Sequence, residues 1–328
     1  MIPPPHDHQP RKGSHRVSAT ILISPRSLTA TGHPALARLQ DAGYELVFTT
    51  PGQQPTSAEL LQVLPGCVGY LAGVEEVGAQ LLETAQTLRV ISRYGVGTNN
   101  IDMAAARRLG ISVCTTPGAN ARGVAELTMA HLLALARWVP FSDQALKAGG
   151  WQRRKGMEVC GKTLGLVGCG HVGRLVARFA IGMDMKVLAY TVRPDTTFAP
   201  SPDFRFAPLA DVLCQSDVIS LHCPAPGDGR AMIDAAALAA MKQGVFLINT
   251  ARAELVDAAA LAAALQSGKV AGAAMDVFRS EPPTGDPLVA YDRVVATPHI
   301  GGFTEESVDR MVEMAVDNLL QALGGSCN

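Results

Sequence analysis

The sequence predicts an α/β protein made of two doubly wound parallel-sheet domains, one inserted into the other. Three observations lead there. Short apolar runs alternate with segments of helical period from about residue 18 to 116, and the alternation starts afresh at Thr163. Breaks at Pro117-Gly118 and Thr297-Pro298 mark the two places where the pattern changes. A last helical stretch, about Glu305 to Leu323, carries Val308, Met311, Ala315, Leu319 and Ala322 on one face and comes too late for the second series. It is therefore expected to return to the first domain, which makes the second an insertion. Two such crossovers create a cleft and a hinge, where small ligands are usually bound.

In the first series Thr20–Ile23, Leu46–Thr49, Val68–Leu71, Arg89–Ile91 and Ile111–Cys114 read as strands. Pro34–Asp41, Ser57–Leu64, Ala79–Ala85 and Met103–Leu109 read as helices between them. Repeated alternation with short connections implies a mostly parallel sheet covered by helices. A glycine loop, Tyr94-Gly95-Val96-Gly97-Thr98-Asn99-Asn100, follows the fourth strand. Beyond Pro117-Gly118, the spacing of Val124, Leu127, Ala130, His131, Ala134 and Leu135 predicts a long helix to about Trp138, with His131 packed or partly exposed rather than a ligand. The second series places six strands at Leu164–Val167, Lys186–Tyr190, Val218–Leu221, Val245–Ile248, Ala271–Met275 and Arg293–Ala296. Its helices include Pro208–Cys214, Ala235–Met241 and Ala258–Gln266. The expected domains are a flexible tail over 1–17, a first domain of 18–117 with 299–328, and an inserted domain of 118–298.

Composition narrows the chemistry. With 48% hydrophobic and 17% charged residues among 328, the chain is a well-packed globular protein. A net charge of −1 supplies no field to recruit nucleic acid or an anionic membrane, so the expected partner is a small molecule. Seven scattered cysteines without a CxxC pair fit reduced cytoplasmic thiols and offer no zinc site. The proline-rich start lacks the apolar core of a signal peptide, and His6 and His8 belong to a solvated tail. No stretch approaches the roughly 18 apolar residues of a membrane span, so a cytoplasmic protein is expected.

The strongest local signal is Gly168-Cys169-Gly170-His171-Val172-Gly173. It follows the apolar run Leu164–Val167 and opens a helical pattern through Val172, Leu175, Val176 and Phe179. Strand, tight glycine turn and helix are the order a dinucleotide-binding βαβ unit requires. Gly168 permits the turn, Gly170 lets a pyrophosphate approach the backbone, and Gly173 lets the helix pack against the strand with its N–H groups facing the phosphates. Alone the spacing is a weak signal, because such glycines also serve simply as turn residues.

Polar residues at the ends of apolar strands add the chemistry. Arg252 follows Phe246-Leu247-Ile248-Asn249-Thr250-Ala251, Asp276 follows Ala273-Ala274-Met275 with Glu281 five residues on, and His299 follows Val295-Ala296-Thr297-Pro298. A guanidinium can fork onto a carboxylate and a carbonyl oxygen. Hydride arriving at a carbonyl carbon builds charge on oxygen, and an imidazolium titrating near neutrality can supply the proton. An adjacent carboxylate, for which Glu281 is placed, stabilises that imidazolium. Taken singly, Glu281 reads equally as a solvated loop residue and His299 as a core histidine.

These residues, together with Ser92-Arg93-Tyr94-Gly95-Val96-Gly97-Thr98-Asn99-Asn100-Ile101-Asp102, Gly161-Lys162-Thr163-Leu164-Gly165, Glu281-Pro282 and Thr297-Pro298-His299-Ile300-Gly301-Gly302, resemble the D-isomer-specific 2-hydroxyacid dehydrogenase family, in its phosphoglycerate dehydrogenase-like and hydroxypyruvate/glyoxylate reductase-like branch. The resemblance implies a Rossmann cofactor domain inserted into a flavodoxin-like substrate domain, and a homodimer. It implies His299 as acid/base, Glu281 as its partner and Arg252 as substrate clamp. Substrate contacts would come from Arg93, Val96, Gly97, Arg252 and His299, with the Val96–Gly97 backbone on the carboxylate. Cofactor contacts would come from Gly168, Gly170, His171, Val172, Gly173, Thr191, Arg193, Pro224, Thr250, Ala251, Asp276 and Gly301, with Asp276 on the nicotinamide amide. Glutamate rather than glutamine at 281 disfavours formate as substrate.

Two departures refine the expectation. NAD-specific members place an acidic residue after the strand Lys186–Tyr190, for the ribose 2′-OH. Here the position holds Thr191-Val192-Arg193, at an offset of 191 − 173 = 18 from the last turn glycine, close to the usual value of about 20. Thr191 and Arg193 suit a 2′-phosphate, so NADP(H) is favoured, with NAD(H) still possible. Near Leu71-Ala72-Gly73 there is also no arginine for a substrate phosphate, although Arg93 matches one basic position. Unphosphorylated 2-oxoacids such as hydroxypyruvate or glyoxylate are therefore favoured over 3-phosphoglycerate. A dinucleotide-sensing, corepressor-like binding protein is the alternative outside catalysis.

Overall fold

The computed structural model describes residues 19–324; the tail expected over 1–17 and Cys327 lie outside them. The chain divides into two compact units, residues up to 116 with those from 312 onward, and residues 117–311.

The first unit alternates strand and helix as β1 (Thr20–Ile23), α1 (Arg26–Thr31), α2 (Ala37–Asp41), β2 (Glu45–Phe48), α3 (Ser57–Val63), β3 (Cys67–Ala72), α4 (Ala79–Thr84), β4 (Val90–Arg93), α5 (Met103–Arg108) and β5 (Ser112–Cys114). All pairings are parallel and the strand order is β2-β1-β3-β4-β5, the flavodoxin-like arrangement. Ile21, Leu22 and Ile23 are fully buried, as a central parallel strand covered on both faces demands. Each such side chain removed from water contributes about 1.5–3 kcal/mol. Helix starts are fixed locally: Thr56 caps α3 through the Glu59 N–H, and Asp102 caps α5 through the Ala105 N–H.

The second unit contains α6 (Ala121–Arg137), α7 (Val139–Lys147), β6 (Thr163–Val167), α8 (His171–Ile181), β7 (Lys186–Tyr190), β8 (Phe204–Phe206), α9 (Leu209–Gln215), β9 (Val218–Leu221), α10 (Ala235–Ala240), β10 (Val245–Asn249), α11 (Ala258–Gln266), β11 (Val270–Met275) and β12 (Val294–Ala296). Its seven strands run β12-β11-β10-β9-β6-β7-β8, the doubly wound order with the reversal between β9 and β6. Alternate residues feed two apolar layers. Phe246 and Ile248 of β10 pack in the layer with Leu132 and Leu135 of α6 and Val176 of α8. Val245 and Leu247 face the layer with Val212 of α9, Leu238 of α10 and Leu261 of α11.

The structure differs from the sequence reading in four places. β8 is a seventh strand where six were expected, because Phe204-Arg205-Phe206 is too short to show its alternation. α1 and α7 were not expected; α7 begins at a proline-containing turn just after Trp138, whose backbone is left-handed at φ 54°. The division between units falls inside α12 (Glu305–Gly324), at 311/312 instead of 298/299. Within the second unit Arg310 donates to the Ala119 carbonyl (2.8 Å), and within the first Leu319 and Leu323 lie against Gly69 of β3.

Asp217, one residue before β9, ties three segments of the second unit. Its carboxylate accepts from Lys242 Nζ and from the Thr163 N–H, both at 2.8 Å. Burial pushes this carboxyl up, but the Lys242 hydrogen bond, the Thr163 N–H and the charges of Lys242 and Lys162 outweigh it and hold it below the usual range. A depressed pKa means that the linked stability is present above the unfolded value of about 3.9 and is lost as pH falls through the lower folded value. Asp217→Ala should cost about 1.5–3 kcal/mol in urea unfolding at pH 7, and the difference should shrink below about pH 3.9.

Candidate active site

The site grows from the reversal point of the second sheet. β6 ends at Val167, and the Gly168 N–H donates to the Tyr190 carbonyl (2.8 Å). Gly168 has φ +105°, and a Cβ there would lie 2.5 Å from the His222 carbonyl carbon and oxygen and 2.7 Å from the Cys223 nitrogen. Glycine is required twice over, by backbone angle and by contact with the end of β9. A Cβ on Gly173 would meet the Gly168 oxygen at 2.3 Å, so α8 can start only this close to β6 with glycine there. Gly170, in contrast, faces open space. It precedes α8, whose first N–H groups no side chain caps. An 11-residue helix with an uncapped N-terminus above a bare glycine is a cradle for a pyrophosphate.

Burial sets the state of the groups around this turn. Cys169 is buried, and its thiol is pushed up to about 11, so it stays neutral and unreactive. Burial pushes His222 down to about 3; its Nε2 lies 2.9 Å from Ser220 Oγ. At the end of β7, Thr191 is half-buried and Arg193 exposed. Sequence reasoning missed Asp195, two residues beyond. Its carboxylate is taken up by Arg174 (2.9 Å) and by the hydroxyl and N–H of Thr197 (2.6 and 3.1 Å). Arg193 forms no ion pair among the described residues.

The polar trio follows the ends of the adjacent strands β10, β11 and β12. Arg252 leaves β10 in a turn closed by its own Nη1 on the Ala251 carbonyl (2.6 Å) and by Asn249 Nδ2 on the Arg252 carbonyl (2.8 Å). Thr250 is buried, and its hydroxyl lies 3.0 Å from Thr128 Oγ1. Ala251 donates to Asn249 Oδ1 (3.0 Å), and Pro224 sits exposed just beyond β9. His299 Nδ1 lies 2.8 Å from Glu281 Oε2 and 3.0 Å from Oε1, which leaves Nε2 for a ligand. Burial pushes the Glu281 carboxyl up, but the His299 hydrogen bond and charge, the Phe278 N–H and the Arg252 guanidinium together hold it below the usual range. Glu281 is thus kept anionic against the imidazole and fixes the orientation of the ring. His299 has φ 53°, an unusual backbone for a residue with a side chain. Asp276 is 1% exposed and accepts from Thr297 Oγ1 (2.6 Å) and from the N–H groups of Ile300 and Gly301 (both 2.9 Å).

Arg93, Val96 and Gly97 belong to the first unit. Arg93 folds back so that its Nη1 contacts the Tyr94 carbonyl, and Val96 is half exposed. The sequence reading missed Glu75, a carboxylate 2% exposed at the reversal point between β1 and β3. Its Oε1 accepts from Ser24 Oγ, from the Tyr70 hydroxyl (2.5 Å) and from the Gly73 N–H (2.7 Å). Asn100 Nδ2 donates to the Glu75 carbonyl (2.6 Å), which ties the glycine loop to this turn. Burial first, and then the Glu75 charge, pushes the Tyr70 phenol well above its ordinary range. Among the described residues no cluster of His, Cys, Asp or Glu could hold a metal ion, and no helix is long and apolar enough to cross a membrane.

Residues 129–301 match the model of the NAD-binding domain of the D-isomer specific 2-hydroxyacid dehydrogenases. The chain belongs to this family. It is 40% identical over 272 residues to a hydroxypyruvate reductase of Thermotoga maritima, covering 81% of this chain and 88% of that one. A glyoxylate reductase of Thermofilum pendens is 36% identical, with 89% of each chain covered. Against D-3-phosphoglycerate dehydrogenase of Pongo abelii, 37% identical, the match covers 52% of that relative's length. Among solved structures, the TT0316 protein from Thermus thermophilus superposes with a TM-score of 0.84 at 38% identity, over 93% of this chain and 97% of that one. A D-lactate dehydrogenase from Aquifex aeolicus, solved with NAD and lactic acid, gives 0.79 at 28% identity, over 93% and 96%. The enzyme is thus an oxidoreductase with a nicotinamide dinucleotide cofactor, and the glycine cradle fits that group.

Two glycine variants separate folding from cofactor binding. Gly168→Ala should lose about 2–4 kcal/mol of stability in urea, through strain and overlap with the His222–Cys223 peptide. Gly170→Ala should unfold within about 0.5 kcal/mol of wild type yet bind dinucleotide at least about tenfold more weakly in a fluorescence titration.

Proposed function

We propose that the enzyme interconverts a small unphosphorylated 2-oxoacid and its D-2-hydroxyacid, with NADP(H) as preferred cofactor. The observation that carries this reading is the His299–Glu281 contact, with Arg252 close enough to bias Glu281, at three neighbouring strand ends. When bound, the reduced nicotinamide supplies hydride to C2. His299 gives the carbonyl oxygen its proton from Nε2, because Nδ1 is committed to Glu281. Glu281 stays ionised and so balances the imidazolium. Arg252 holds the substrate carboxylate and carbonyl oxygen, and its fixed charge offsets the charge that develops on that oxygen.

Relatives named hydroxypyruvate and glyoxylate reductases support an unphosphorylated substrate. So does the buried Glu75 carboxylate near the end of β3, where a phosphate would call for a cation. The cofactor preference rests on the end of β7. Thr191 and Arg193 stand where a ribose-binding acid would be, and the nearest acid, Asp195, is already engaged. A homodimer is supported by the apolar surface on and after α6, where Leu133, Val139, Leu146 and Trp151 are exposed.

His299→Ala should lower kcat for hydroxypyruvate by about 10²–10⁴-fold while the dinucleotide Kd stays within about threefold. Unchanged turnover would remove His299 from the chemistry. Arg193→Ala should reduce kcat/KM for NADPH roughly tenfold and leave the value for NADH nearly unaltered. An NADH preference above about tenfold in the wild type would end the NADP reading.

A further inference from the structure

His131 has no part in the chemistry just described, yet it is buried to 2% exposure and hydrogen-bonded toward the catalytic turn. His299 occupies a left-handed backbone at φ 53°, which costs about 1–3 kcal/mol and persists only where the surroundings impose it. Asp276 imposes it from both sides. Thr297, two residues before His299, donates its hydroxyl to Oδ1; Ile300 and Gly301, the next two residues, donate their N–H groups to Oδ1 and Oδ2. A Cβ at Gly301 would sit 3.0 Å from Asp276 Oδ2, so glycine allows this approach without pressing on the carboxylate.

The relay continues one step further. Thr297 has a single hydroxyl hydrogen, and it is given to Asp276 Oδ1. The 3.1 Å contact between His131 Nε2 and Thr297 Oγ1 therefore runs from the imidazole N–H to the hydroxyl oxygen. Burial lowers the His131 pKa, with the Asp276 charge opposing it, in keeping with a neutral ring that carries one N–H. His131 lies on the 17-residue helix α6, which is anchored in the apolar layer by Leu132 and Leu135. The donor is thus mounted on a rigid element.

We infer that His131 is a positioning residue for the catalytic imidazole: through Thr297 and Asp276 it holds the left-handed turn that aims His299. This rests on His299 being the acid/base. All the residues of the relay belong to the second unit.

The test compares His131→Leu, which fills the space without a donor, with His131→Gln, which can place an N–H near Nε2. His131→Leu should lower kcat for hydroxypyruvate by about 10- to 100-fold, with KM for NADPH within about threefold. His131→Gln should recover to within about threefold of wild type. Amide hydrogen exchange at Ile300 and Gly301 should accelerate in the leucine variant and return toward wild type in the glutamine variant. A merely structural histidine would lower thermal stability but leave the kcat of folded enzyme alone. Wild-type kcat in folded His131→Leu beside an inactive His299→Ala, unchanged exchange at both amides, or equal impairment of the two His131 variants would each overturn the inference. An active His299→Ala would instead defeat the acid/base assignment, and the exchange data would still decide whether His131 holds the turn. Should His131→Leu fail to fold, Thr297→Val interrupts the same relay; it is expected to lose kcat to a similar extent, and wild-type kcat there overturns the inference.

Discussion

The second unit depends on one close approach, that of Gly168 to the peptide between His222 and Cys223. Two strand ends converge here, those of β6 and β9, and the sheet reverses its order between them. A crevice forms at such a reversal because the following helices leave toward opposite faces. The approach needs a residue with no side chain and a positive φ, and Gly173 must then repeat the economy of size so that α8 can sit over the turn. α8 starts directly above this packing with no side-chain cap on its first N–H groups. The cradle that fits a pyrophosphate therefore takes its form from how tightly the backbone closes.

The proposed catalytic residues are placed by a related constraint at the same edge. Parallel strands all end on one side, so residues far apart in the chain arrive together: Arg252 after β10, Asp276 and Glu281 after β11, His299 after β12. Alignment of strand ends gives only coarse positions, however. Hydride and proton must meet one carbonyl within a fraction of an ångström. The finer placement comes from hydrogen bonds: Glu281 on the imidazole Nδ1 and Asp276 on the backbone around His299. One carboxylate orients the ring, and another bends the chain that carries it.

What the sequence made legible was local. Strands covered on both faces read as mostly apolar runs, so Val218–Leu221 and Lys186–Tyr190 stand out to the residue. The glycine turn is a six-residue spacing and needs no tertiary information. β8 was illegible because three edge residues, Phe204-Arg205-Phe206, give no period to count. α7 was missed because Pro140 after Trp138 looks like a stop, whereas Trp138 adopts a left-handed turn and proline opens the next helix. The Glu75 cluster draws donors from Ser24, Tyr70 and Gly73, and the Thr297–His131 contact spans 166 residues. No spacing rule reaches such pairs, because they exist only once the sheet has brought the strand ends together.

Residue type alone does not distinguish the histidines of the second unit. The chain has eight histidines, and in the second unit His131, His222 and His299 each have a side-chain hydrogen-bond partner. His222 is forced neutral by burial, down to about 3, and stands on Ser220 as a packed strand-end residue. His131 is also lowered by burial and donates its N–H into a chain of hydrogen bonds. His299 differs from both: it is exposed, and a carboxylate held in its charged form lies directly on its ring nitrogen. An imidazole that is to exchange a proton must reach its reactant and must have its positive form stabilised. Burial denies the first two that form, whereas the third stands exposed beside a carboxylate held in its charged form. The three rings are chemically identical; their neighbours divide them into two that burial keeps neutral and one that stands exposed with a carboxylate on its ring nitrogen.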